Sequence, residues 1–153
     1  MTEIRFYRSR AEFGFLSNLY SHPLTFEDIE FSSAEHAYQY GKSSNMTIRE
    51  YIRNAPYPRL AAIVGHGLFM YDVVQNWSAI KVDRMRKVLE AKFSDPVLRK
   101  KLIATGDATL IEDSKTDAFW GQGKKGNGKN TLGVLLMELR GKLREESVSS
   151  KGK

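Results

Sequence analysis

The chain predicts an α+β domain, mostly helical, with a small β-sheet formed largely by its N-terminal part. Three observations carry that reading. Short alternating apolar runs fall within the first 31 residues, and helix-start signatures recur from Ser32 onward. Near the end, Leu132, Leu135, Leu136, Leu139 and Leu143 repeat at helical spacing. At 153 residues the chain suits one domain with a substantial core and is too short for two. The domain is expected over 1–146, with 147–153 a polar, disordered tail.

The elements follow in order. Ile4-Arg-Phe-Tyr7 alternates and reads as a strand, and Leu24–Phe26 and Ile29–Phe31 flank Glu27-Asp28 as a hairpin. Between them, Gly14, Ser17 and Asn18 interrupt an aromatic run, with Asn18 either a turn residue or a polar contact among Phe13, Phe15 and Tyr20. Ser32-x-x-Glu35 and Thr47-x-x-Glu50 both have the form of a capping box. Arg59–Val64 reads as a helix stopping at Gly65 and Gly67. Gly67–Trp77 is apolar and ends in a tryptophan. Ser78 is placed to cap a helix over 79–93, in which Val82, Met85, Leu89 and Phe93 share a stripe. Asp95-Pro96 restarts a helix that Gly106 ends, Thr109–Glu112 is a strand, and the leucine-striped helix covers about 130–145.

Composition narrows the class. Apolar residues make up 41% of the chain and charged residues 27%, and no run reaches the ~18 apolar residues that span a bilayer. No apolar segment follows the N-terminus, so a cytoplasmic protein with no membrane partner is expected. Without cysteine there is neither a disulfide nor a thiolate. The net charge of +6 favours phosphate-bearing partners. Residues 81–101 carry eight cations against three carboxylates, either a solvated helix face or a track for nucleic acid.

Two stretches carry chemistry. In Phe31–Lys42, Glu35, Gln39 and Lys42 fall at i, i+4 and i+7 of one helix. Glu35 is then either the acid of a capping box or part of a polar ligand floor. Asp117–Asn130 is rich in glycine and lysine and opens the last helix, an arrangement suited to phosphate. Gly123-x-x-x-x-Gly128-Lys129 approaches a nucleotide-binding P-loop. However, Asn130 stands where a magnesium-binding hydroxyl belongs, and no buried strand precedes it. His22, His36 and His66 have no ligand spacing, so neither a catalytic metal nor a cofactor is expected.

The ordered blocks Phe15-Leu-Ser-Asn-Leu-Tyr20, Ser33–Gln39 with Lys42, Asn76-Trp77, Leu89–Phe93, Asp117–Gly121, Gly126–Gly133 and Leu136–Arg140 resemble the NADAR (YbiA-like) family. His66 after Gly65, and Leu19 after Asn18, depart from its pattern. The resemblance implies a hydrolase cleaving the N-glycosidic bond between ribose C1 and a base nitrogen. It implies ADP-ribosylated guanine, free or in single-stranded DNA, or phosphorylated riboflavin-pathway intermediates as substrates. The alternative is a non-catalytic module binding ADP-ribose or NAD. Glu35, Trp77 and Asp117 are the positions the resemblance marks.

Such a reaction passes through an oxocarbenium-like state and needs a carboxylate near C1 and an acid or donor at the leaving base. Glu35 is assigned to water and cation, Asp117 to ribose hydroxyls or the leaving group, with the reverse also open. Lys42 would hold Glu35 ionised, bind phosphate, or attack C1 itself. Asn18, Phe15, Gln39, Trp77 and Trp120 are the expected substrate contacts. Gly121, Gly123, Gly128, Lys129 and Asn130 would take phosphate through backbone N–H groups, with Lys124 and Lys125 adding charge.

Overall fold

The computed structural model describes residues 2–151. In chain order the elements are β1 (Glu3–Phe6), β2 (Leu24–Phe26), β3 (Ile29–Phe31), α1 (Ala34–Tyr40), α2 (Met46–Arg53), α3 (Pro58–His66), α4 (Trp77–Lys92), α5 (Pro96–Ala104), β4 (Thr109–Glu112) and α6 (Thr131–Lys151). Short 3-10 turns lie at Gly14–Leu16 and Met70–Asp72. The α+β class is as the sequence predicts. The chain divides into two compact units, Met1–Ser17 with Phe93–Lys153, and Asn18–Lys92.

The expected single small sheet is instead two separate strand pairs. β2 and β3 form the antiparallel hairpin, its turn made by Glu27 and Asp28 at φ 52° and 63°. That left-handed pair matches the twist of a two-residue hairpin. β1 pairs in parallel with β4, Ile4 opposite Leu110, so the N-terminal strand finds its partner more than 100 residues away.

In Asn18–Lys92 the hairpin, α1 and α4 share a core of Leu24, Phe31, Ala34, Ala37, Tyr40 and Val88. A second cluster, Ile52, Ala55 and Ala61, seats α2 and α3. Arg84 on α4 ties this unit together. Its guanidinium donates to the Ala37 and Tyr38 carbonyls at the end of α1 and to Glu27 at the hairpin turn, 2.9 Å away. Those carbonyls lie in the last turn of α1, where intrahelical donors run out.

Three of the helix starts differ from the sequence reading. α1 is capped by Ser33, not Ser32, and α2 by Asn45, whose Oδ1 accepts from Thr47 and Ile48. α4 begins at Trp77, with the Asn76 carbonyl accepting from Ala79 and Ile80, so Ser78 lies inside the helix. α5 starts as expected, with Asp95 accepting from Leu98 and Pro96 in the first turn.

In the other unit the five leucines of α6 are all buried, and the helix packs on β4 and α5. Buried Arg140 donates to Thr105 at 2.9 Å. The polar tail expected from 147 is helical to Lys151, while Gly152 and Lys153 lie outside the described residues. Arg99 of α5 reaches Glu146 at 3.6 Å and Ser147 at 3.5 Å, and no proline or glycine interrupts 142–151.

Candidate active site

Within Asn18–Lys92 the site begins at the cap of α1. Ser33 Oγ accepts from the His36 backbone N–H, and Oγ and His36 Nδ1 lie 2.6 Å apart. His36 Nε2 is 2.9 Å from the Ala55 carbonyl. A carbonyl can only accept, so the proton sits on Nε2 and Nδ1 accepts from the Ser33 hydroxyl. Burial pushes this imidazole below its usual range, which keeps it neutral. His36 therefore completes the cap that the sequence assigned to Glu35.

Glu35 is thereby placed one residue before the third helical position that a capping box uses. It lies in the second position of α1, 9% exposed, and its Oε1 accepts from Gln39 Nε2 at 2.8 Å. Gln39 is buried, and its own carbonyl oxygen has no hydrogen-bond partner. Asn18 repeats the pattern. Its backbone carbonyl accepts from Glu35 N–H, its Nδ2 lies 3.1 Å from Met85 Sδ, and its buried Oδ1 is unpartnered. Two buried amide oxygens without donors, both on residues directly tied to Glu35, are acceptors that a hydroxyl-bearing ligand would satisfy.

Lys42 lies just past the end of α1, so the i, i+7 stripe stops one turn short of it. Its Nζ donates to the Gly65 carbonyl at 2.8 Å, and its own carbonyl accepts from Val74 N–H at 2.9 Å. Burial first, then the charge of Lys81, push this amine down, while Glu35 pulls it back up. Glu35 and Lys42 are thus within electrostatic reach of each other. Trp77 is half-buried, its ring 5.2 Å from that of Tyr38.

The other unit gives its site candidates contacts of their own. Asp117 Oδ1 accepts from the backbone N–H groups of Phe119 and Trp120 at 2.9 and 2.8 Å, closing the turn that displays Trp120. The Trp120 ring meets Phe119 edge-on at 4.9 Å. Phe15 is buried, so it is core and not a platform.

The glycine loop folds back on itself. The N–H groups of Lys129, Asn130, Thr131 and Leu132 donate to the carbonyls of Ala118, Gly121, Phe119 and Trp120, and Gly128 N–H donates to Gln122. Of the amides meant for phosphate, those of Gly128, Lys129 and Asn130 are engaged within the loop itself. Asn130, at φ 52°, accepts from Glu112 N–H and donates to the Leu110 carbonyl, both at 2.9 Å, so its side chain stitches the loop to β4. The glycines follow from this folding back. A Cβ at Gly128 would lie 2.4 Å from the Gly121 carbonyl, one at Gly121 would meet Glu112, and Gly123 has φ +70° against Ala118. Lys124, Lys125 and Lys129 are exposed, and Lys129 Nζ stands 5.5 Å from the Phe119 ring centre.

The basic run of 81–101 is also thinned. Arg84 binds α1, Lys92 is buried with its Nζ 5.7 Å from the Tyr20 ring, and Arg86 and Lys87 pair with Asp83. Among the described residues, no group of three or more His, Asp or Glu side chains gathers as metal ligands would. No described helix is long and apolar enough to cross a membrane.

Sequence reasoning missed Gly65 and the His36 cap. Gly65 was taken as a helix stop, yet it lies inside α3, where a Cβ would be 2.0 Å from Gln39 Oε1. A glycine within an otherwise helical run was the available signal.

The NADAR domain description matches residues 5–144 of the chain. The N-glycosidase YbiA of Escherichia coli is 39% identical over 143 residues, covering 93% of this chain and 89% of that protein. A riboflavin biosynthesis protein of Vibrio vulnificus is 34% identical over 145 residues, covering 94% of this chain but 39% of the longer protein. The NMR structure of the Escherichia coli protein YbiA superposes with a TM-score of 0.87 at 38% identity, covering 96% of this chain and 88% of that one.

Proposed function

The chain belongs to the NADAR domain family and is an N-glycosyl hydrolase; from that premise we propose that Glu35 is its principal catalytic carboxylate and that a ribosyl group is held by Asn18 and Gln39. The observation that carries the reading is the Glu35–Gln39 pair, a nearly buried carboxylate fixed by an amide whose own oxygen lacks a donor.

As the C1–N bond lengthens, positive charge grows on the ribose and the bonding pair moves to the base. Glu35 stabilises that cation and takes the proton of the water that adds to C1. The ribose hydroxyls donate to Asn18 Oδ1 and Gln39 Oε1, which holds C1 at the carboxylate. Lys42 keeps Glu35 ionised and offers a cation for a substrate phosphate.

The substrates supported are ribosyl phosphates on a nitrogen base. The name of the Vibrio relative favours an intermediate of riboflavin synthesis, and that of the Escherichia coli relative favours N-glycoside cleavage. The family resemblance adds ADP-ribosylated guanine. Single-stranded DNA carrying that base is the weaker branch, because Arg84 and Lys92 are engaged inside the fold.

A second reading rests on the place of Lys42, within electrostatic reach of Glu35 and with burial pushing its amine below the usual range. A neutral Lys42 amine could attack C1, expel the base with its electron pair and form a ribosyl-lysine adduct that water then opens. Incubation with a ribosylaminopyrimidine phosphate and with ADP-ribosylguanosine, followed by mass spectrometry, tests the proposal. Base release that Glu35→Gln abolishes while substrate still binds is expected. Undiminished release by that variant would overturn the assignment, and a borohydride-trapped adduct at Lys42 would select the covalent route.

A further inference from the structure

Phe69, Met70 and Tyr71 are 67%, 89% and 82% exposed, three consecutive large apolar side chains held in water. The Phe69 and Tyr71 rings lie nearly parallel, 6° apart in plane with centres 5.5 Å apart. That spacing leaves no room for a ring between them, so a third ring could only extend the stack from an outer face.

The segment is not a loose tip. A 3-10 turn at Met70–Asp72 sets its backbone, with Asp72 and Val73 N–H donating to the Phe69 and Met70 carbonyls. Lys42 fastens both of its ends. Lys42 Nζ binds the Gly65 carbonyl before it, and the Lys42 carbonyl binds Val74 N–H after it. Three residues on, Trp77 packs on Tyr38 of the helix that carries Glu35. The exposed rings are therefore displayed by a bracket closed on a proposed catalytic lysine.

We propose that Phe69, Met70 and Tyr71 form a stacking subsite for a second aromatic ring of the substrate, one joined through phosphate to the ribose whose bond is cleaved. The proposal rests on the N-glycosidase reading of the Glu35 site. Exposed aromatic faces take bases without regard to sequence. Lys81 lies close enough to Lys42 for its charge to be felt there, as does Glu35, and the two cations favour an anion beyond the one that Glu35 supplies. A phosphate near the lysines followed by a ring on the stack describes a nucleoside diphosphate extension, which a single ribosyl phosphate lacks. The loop would then set specificity between the two substrate classes without touching the reacting atoms.

The test is calorimetric binding of ADP and of ribose 5-phosphate to the wild type, the Phe69→Ala/Tyr71→Ala variant and the Phe69→Tyr/Tyr71→Phe variant. All four substitutions are at exposed positions. ADP affinity should fall about tenfold in the alanine pair and hold in the aromatic swap, with ribose 5-phosphate unchanged throughout. Equal ADP affinity in wild type and the alanine pair would overturn the subsite, as would a wild type that binds ADP no better than ribose 5-phosphate. Catalysis is read separately by Glu35→Gln, so loss of the glycosidase reading and loss of the subsite give different results.

Discussion

Gln39 donates its side-chain N–H to Glu35 Oε1 at 2.8 Å while its own carbonyl oxygen stays buried without a partner. An amide in this state stabilises the carboxylate on one side and carries a desolvation cost on the other. Replacing Gln39 by leucine removes both. Stability should stay within about 1–2 kcal/mol of wild type, because an orphaned acceptor disappears together with the useful donor. Turnover should fall at least tenfold, because Glu35 loses its fixed orientation and the ribose one acceptor. Urea unfolding and steady-state kinetics on the same variant check both halves. A variant with wild-type turnover would remove Gln39 from the site.

Gly65 supports that geometry from α3. A Cβ at this position would stand 2.0 Å from Gln39 Oε1 and 2.4 Å from its Cδ. Gly65→Ala should improve helix propensity yet displace the Gln39 side chain. The expected result is a drop in kcat of about tenfold or more, with the far-ultraviolet dichroism of the folded protein unchanged. If the alanine variant were simply more stable and fully active, Gln39 would have room that the structure does not give it.

Much of this was legible in the chain. The hairpin at Glu27-Asp28, the Asp95-Pro96 start and the leucine stripe of α6 were found because local chemistry decides them. What was misread was decided at a distance. The β1–β4 pairing depends on residues more than 100 apart, which no window sees. Ser33 displaced Ser32 as the cap because the neutral His36 could bond both Ser33 and Ala55, a tertiary contact. The glycine loop looked like a phosphate cradle because composition does not show where its N–H groups point. Those of residues 128–132 point back into Ala118–Gln122. Glu35 stands at the second helical position and not at the third, and only the tertiary contacts of Ser33 and His36 decide that.

Asn130 separates a structural loop from a phosphate-binding one. Its amide holds Glu112 N–H and the Leu110 carbonyl, and its backbone is at φ 52°. Asn130→Ala leaves both groups of β4 without partners and puts an unfavourable residue in the left-handed region. A loss of about 2–4 kcal/mol is expected. Asn130→Gly keeps the backbone favourable and should cost less, by about 1 kcal/mol. Chemical denaturation of the pair tests this order. Wild-type stability with a raised KM for phosphorylated substrate would instead make Asn130 a ligand residue.

Buried Lys92 gives the protein a pH signature away from the site. Desolvation lowers its pKa from 10.5 to about 7, although the Tyr20 ring 5.7 Å away favours the charged form. In the unfolded chain the amine keeps its proton up to about pH 10.5, whereas in the fold it releases it near 7. Between those values the unfolded state binds more protons, so stability rises with pH, at most about 1.4 kcal/mol per unit. Below the lower value the full cost of the buried charge is present. Lys42 shifts in the same direction, so part of the slope will remain when Lys92 is replaced. Lys92→Met keeps the length of the side chain and removes the proton. It should raise the urea midpoint at pH 7 and flatten its climb between pH 7 and pH 9. A methionine variant that is less stable at pH 7 and climbs as steeply as wild type would mean that the contacts Lys92 makes in the fold outweigh its desolvation.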